Sequence, residues 1–152
     1  MKKFRFSLET VLDYKQEVLS ALQTEHAAIL ARVHAQEDLL EELENYYSEL
    51  DAEFTERKLE GITILDAMQY EQYLRATERQ IEEAVEILER LRAEAEAKRL
   101  EVVEAKKDTS SIEKLREKKL DSYNKAVQKS EELIIEEFVT TTRVMAAQGA
   151  YA

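Results

Sequence analysis

His26 and His34 are the only histidines in the chain, and they stand eight residues apart. Two metal ligands on one helical face need a spacing of three or four, and no cysteine is present to complete a site. Acidic pairs are plentiful between Glu37 and Glu60. A carboxylate becomes a catalytic acid or base only where a cleft shifts its pKa, and solvated helix faces provide none. The only glycines are Gly61 and Gly149, so there is no glycine-rich phosphate loop and no nucleophile elbow. No catalytic, cofactor or metal residue is assigned, and the chain reads as a non-enzyme. The chemistry that remains is binding. Tyr46, Tyr47, Tyr70 and Tyr73 crowd around the single internal glycine, and tyrosine is a frequent interface anchor. Two readings stay open for them: packing within a helical seam, or partner contact.

The elements that must carry these residues are helices. The chain has 152 residues, 36% of them charged, with no Pro and no Trp. Glu, Lys, Leu, Ala, Arg and Gln dominate, all good helix formers. From Leu8, alternating steps of four and three give Leu8, Leu12, Lys15, Leu19, Leu22, His26, Ile29, Val33, Gln36, Leu40, Leu43, Tyr47, Leu50 and Phe54. This unbroken heptad predicts a long helix with a coiled-coil seam, its polar members fixing register. Ser7 suits an N-cap, with Phe6 and Val11 spaced for a hydrophobic staple. Gly61 suits the left-handed position after a helix, and Arg57 and Lys58 favour the end of its dipole.

Thr63 and Asp66 then open a second helix. Its seam runs through Ile81, Ala84, Leu88, Leu91, Ala95, Lys98, Val102, Ala105, Thr109 and Ile112. Further on, Leu115, Leu120, Tyr123, Val127, Ile134 and Phe138 lie about one residue out of that register. The stretch "DTSSIEKL" (108–115) carries a weak boundary signal, against which a continuous helix is the simpler reading. The fold class expected is all-α: an antiparallel coiled-coil hairpin forming a single domain over 1–152. Its helices cover about 7–60 and about 64–147, with a tip at 61–63. Residues whose numbers add to about 123 should face each other. The longer second helix should then overhang from about Glu117. That overhang carries Leu120, Tyr123, Val127, Leu133, Ile134, Ile135, Phe138, Val139, Val144 and Met145. Such a stripe marks an interaction surface, for a second copy or for a different protein, or else a segment that frays when alone; a different protein is preferred here.

The formal net charge is −11, which argues against nucleic acid as a partner. Acids dominate Glu37–Glu60 and bases dominate Lys98–Lys129, a pattern of solvated faces or of two unlike partner surfaces. No apolar run approaches the roughly 18–20 residues needed to span a membrane, and the start "MKKFRFSLETVL" lacks a signal-peptide core. A soluble chain, peripheral to membranes at most, is expected.

Three stretches in order resemble the FliJ family of flagellar export proteins. They are "FRFSLETVLDYKQ" (4–16), Gly61 with "QYEQYL" (69–74), and "SIEKLREKKLDSYNKAVQKSEELIIEEF" (111–138). The resemblance implies a cytoplasmic stalk of the flagellar type III export apparatus, peripheral at the inner face of the cell membrane, serving flagellum assembly and motility. It implies binding to the ring of the export ATPase, to the cytoplasmic domain of the export gate, and to export chaperones. By resemblance the ring receives Phe4, Phe6, Leu8, Leu12, Ile134 and Phe138. The gate meets Leu43, Tyr46, Leu50 and Tyr73. Thr77, Gln80 and Ala84 depart from the family pattern, which is partly more apolar there or carries a histidine. The equivalent stalk of a virulence secretion system, a coiled-coil holdase and a spacer share the same physics.

Overall fold

The structure is a computed structural model that describes residues 2–150. It contains two helices, α1 (Glu9–Glu60) and α2 (Ile64–Ala150), packed against each other, the second longer by far. Helix α1 starts slightly later than expected. Residues 2–6 lie outside the helix and Ser7–Leu8 form a turn. The Glu9 N–H donates to Phe6 O (3.2 Å) and the Leu12 N–H to Leu8 O (2.8 Å), so Leu8 supplies the first helical carbonyl. Phe6 and Leu12 are buried while Val11 is exposed, so burial at this end falls on those two rather than on a Phe6–Val11 staple.

The turn follows the sequence closely. Gly61 has φ +101° and its N–H donates to Arg57 O (3.0 Å), the single bond that closes a helix on a left-handed residue. A Cβ added there would meet nothing within 4 Å, so the need for glycine is torsional, not steric. Asp66 N–H donates to Thr63 Oγ1 (3.2 Å) and Ala67 N–H to Thr63 O (3.0 Å), which caps α2.

The chain divides into two units, and both helices contribute to each. The unit Leu19–Glu104 holds two apolar clusters. One joins Ile29 and Val33 to Leu88, Leu91 and Ala95. The other joins Leu50, Phe54 and Leu74, with Tyr47, Ile62, Ala67 and Tyr70 packed on it. The α2 seam therefore starts upstream of Ile81, through Leu74 and the buried Thr77. Pairing is antiparallel in the expected register: Lys98 meets Glu25 (2.9 Å) and Tyr70 meets Glu53 (3.0 Å), each pair adding to 123.

The other unit comprises the residues up to Val18 and those from Ala105 onward. Lys15 faces Asp108 (3.8 Å) and Arg116 pairs with Glu9 (3.0 Å). Helix α2 runs unbroken through 108–115. The Thr109 hydroxyl donates to Ala105 O (2.8 Å), and the Ser111 hydroxyl to Lys107 O (3.0 Å), so these side chains serve their own helix instead of starting a new one. The register shift lies here. Ile112, Arg116 and Leu120 are half-buried in two successive steps of four. Leu115, expected in this stripe, is exposed, and Arg116 takes its place.

The uncovered part of α2 begins later than Glu117. Leu120, Tyr123 and Val127 are half-buried, and every residue from 131 to 150 is exposed. The cause is that residues 2–6, ahead of the helix, also pack on α2. The Tyr123 hydroxyl donates to Lys2 O (2.6 Å) and its ring lies 5.6 Å from that of Phe4, in the same antiparallel register as Glu9 and Arg116.

Candidate functional site

The residues expected at the export gate fall on two open grooves of the unit Leu19–Glu104. Tyr46, Leu50 and Tyr73 line one, together with Tyr70, Glu53 and Arg57. Leu43 lines the other, beside Leu39, Gln80 and Ala84. Leu50 belongs to the core cluster and forms the first groove's floor, not a free anchor. Thr77 is buried and its hydroxyl donates to Tyr73 O (2.8 Å), whereas Gln80 is exposed.

The four tyrosines separate into two kinds. Tyr47 donates its hydroxyl to Glu78 (3.0 Å), and that bond is the main reason its pKa is raised. Glu78 also takes two bonds from Arg75 (2.7 and 2.8 Å), and this guanidinium first, with Tyr47 second, pulls the carboxyl below its ordinary range. Tyr70 stacks on Phe54 (5.0 Å, 15°), and burial, followed by its bond to Glu53, raises its pKa. These two rings are spent on the hairpin. Tyr46 and Tyr73 each keep 49% exposure, so of the four they are the rings that stay open to solvent. Tyr73 is lightly held by a bond from Gln69 Nε2 (3.2 Å). The sequence did not mark Leu39, an exposed leucine one position off the seam.

The six residues expected at the ring also divide. Phe6 and Leu12 are buried and hold their unit together. Phe4 is half-buried, its ring 5.6 Å from Tyr123 and 5.6 Å from the Arg116 guanidinium. Leu8 is marginally exposed. Ile134 and Phe138 are bare, within an apolar stripe that includes Leu133, Ile135 and Val139.

His26 is half-buried on the seam, and His34 lies exposed near Glu37 (3.7 Å). Among the described residues no group of three potential metal ligands comes together, and no helix is long and apolar enough to cross a membrane. A second feature escaped the sequence reading. Leu59, Ile64, Leu65 and Met68 stand exposed around the turn, off every seam position. The available signal was four large apolar residues flanking a glycine with no heptad role.

The architecture is that of a coiled-coil hairpin whose free surfaces are shallow grooves and exposed apolar patches at the turn and along 133–139. The family model of the flagellar FliJ protein matches residues 4–143, nearly the whole chain. The chain belongs to the FliJ family, and so is a non-enzymatic component of the flagellar export apparatus. Comparison with curated proteins and comparison with solved structures each found no match.

Proposed function

We propose that this chain is the stalk and coupling component of the flagellar export apparatus. Its amino- and carboxyl-terminal unit enters the ring of the export ATPase. The grooves of Leu19–Glu104 receive the cytoplasmic domain of the export gate through Tyr46 and Tyr73, with Leu43 beside them. Export chaperones are further partners, and the chain acts in the cytoplasm at the inner face of the membrane through those contacts. The observation that carries the reading is the segment 131–150, exposed throughout and apolar along Leu133, Ile134, Ile135 and Phe138. A stripe of that kind, in a family built for export, is a surface for another protein.

Co-purification with the cognate export ATPase tests it, using the full chain and a chain ending at Ser130. That end point keeps Tyr123 and its contacts with Lys2 and Phe4. The full chain should be retained by the ATPase. The shortened chain should melt at nearly the same temperature and be lost from the complex. Equal retention of both would refute the assignment of the stripe to the ring.

A further inference from the structure

Helix α2 gathers lysines along one line over a limited length. Lys107, Lys114, Lys118, Lys125 and Lys129 are all exposed, in the unit that holds both ends of the chain. Their intervals are seven, four, seven and four, an eleven-residue repeat. Eleven residues are close to three turns of α-helix, so such a repeat keeps to one line instead of winding around the axis. At 100° per residue the five fall within about 60° of one another over about 33 Å. Each stands two positions after a half-buried residue: Ala105, Ile112, Arg116, Tyr123 and Val127. Two positions are about 200° of rotation, so the lysines occupy the face of α2 opposite its covered side.

The surrounding charge has the same sign. Residues 106–129 hold eight bases against four acids, and residues 2–17 hold four against three, in a chain with 33 acids and 22 bases. Asp108 faces Lys15 (3.8 Å) and Glu113 accepts from Gln16 Nε2 (3.3 Å), so both turn toward α1. Asp121 pairs with Lys125 (2.9 Å), and Glu117 stands about a quarter-turn off the line. The stripe ends where the sign of the face reverses, at Glu104 before it and Glu132 after it.

We infer that this stripe lays α2 on an anionic bilayer, its lysines meeting lipid phosphates without insertion of the helix. Ser111 and Ser122 fill the gaps in the line, so no apolar group lies on it. Lysine and serine are depleted at protein interfaces, which are built on an apolar core that this line lacks. The line also lacks the arginines and stacking aromatics that hold nucleic acid. A bilayer needs neither. Its headgroups are mobile and lie in a plane, and each lysine near them strengthens binding about fivefold. Charges more than about 8–10 Å from the headgroups are screened, and α1 stands about one helix diameter behind α2. Entry of this unit into a ring would cover the stripe, so the inference concerns the free chain and does not rest on the ring reading.

Cosedimentation of the full chain with vesicles of phosphatidylglycerol and phosphatidylethanolamine tests this, with phosphatidylcholine vesicles alongside. The anionic vesicles should bind the chain at about 0.1 M salt and release it at about 0.5 M, and the neutral ones should not bind it. The decisive comparison sets Lys107→Gln with Lys118→Gln against Lys106→Gln with Lys119→Gln. Both variants remove the same charge from adjacent positions, but Lys106 and Lys119 stand about 110° to either side of the line. The first pair should weaken binding about 25-fold and the second less than about fivefold. All four lysines are exposed, so melting should not change in either variant. Equal weakening by the two pairs, no binding to the anionic vesicles, or binding that survives about 0.5 M salt would overturn the inference. So would loss of vesicle binding in Ile134→Ser with Phe138→Ser, or tighter binding to duplex DNA or polyglutamate than to the vesicles.

Discussion

Replacing Ile134 and Phe138 together by serine probes the bare stripe at its two most informative positions. They retain 63% and 71% of their exposure, so most of their apolar surface is still available for burial. Full burial of an Ile or Phe side chain is worth about 1.5–3 kcal/mol, and about two-thirds of that remains at each site. A partner covering both would gain about 2–4 kcal/mol from the pair. At about 1.4 kcal/mol per tenfold, the double variant should bind the export ATPase some 30- to 700-fold more weakly. Calorimetric titration of purified chain into the ATPase reads this directly. Neither residue contributes to a buried cluster, so thermal melting followed by circular dichroism should move little. Unchanged affinity at unchanged melting would refute the ring assignment. A large fall in melting temperature would show instead that the stripe is covered within the isolated protein.

The remaining tests address the hairpin. Gly61→Ala should destabilise by about 1–2 kcal/mol in urea denaturation, because φ +101° strains a residue with a Cβ even where space is free, and Gly61→Asn should cost less. Tyr70→Ala should lower the melting temperature through loss of its stack on Phe54. Tyr46→Ala and Tyr73→Ala should leave melting nearly intact and weaken binding to the gate domain about tenfold, an outcome that reversal of the two patterns would exclude. Glu78 has its carboxyl pKa held down in the folded state, so its stabilising effect is present above the ordinary carboxylate pKa and is lost as pH falls through the folded value. Acid titration of stability should therefore be shallower in Glu78→Gln than in the parent between neutral pH and that folded value. Parallel curves would show that Arg75 and Tyr47 do not hold the charge.

The hairpin was legible because its determinants are local and periodic. A seam from Leu12 to Phe54, one glycine and one capping threonine state two helices and where the chain turns between them. The start of the uncovered segment was not legible, because it depends on the conformation of residues 2–6. Phe4 and Phe6 continue an apolar alternation that a heptad count cannot distinguish from a frayed helix end. Although outside the helix, this segment still packs on α2, with Phe4 beside Tyr123 and Lys2 O accepting the Tyr123 hydroxyl, so cover continues past the start of α1. The candidate site was legible only in part for a related reason. The heptad spacing takes Tyr47 and leaves Tyr46 just off the seam. It could not show that Tyr70 is taken up by Phe54 and Glu53 while Tyr73, three residues on, is not.

Register is what links the seam to these surfaces, and the polar seam residues hold it. In the unit Leu19–Glu104, Lys98 reaches Glu25 (2.9 Å) and Glu101 (2.8 Å), and these two bonds raise its pKa. Gln36 Nε2 donates to Ala84 O (3.1 Å). A slip of one heptad would preserve most apolar contacts, since leucine and isoleucine recur every turn of the pattern. It would also carry Lys98 toward Leu19 or Val33 and leave its ammonium without Glu25, which an apolar layer penalises. The same slip would pull Tyr73 away from Tyr46 and divide the groove they share. In the other unit, Thr109 is buried beside Lys15 O (3.4 Å), and Lys15 in turn faces Asp108. Displacement there would change how much of α2 the amino-terminal segment covers. The polar interruptions that weaken each seam thus fix which tyrosines meet and where the bare stripe begins, and an all-leucine seam would gain stability while losing both.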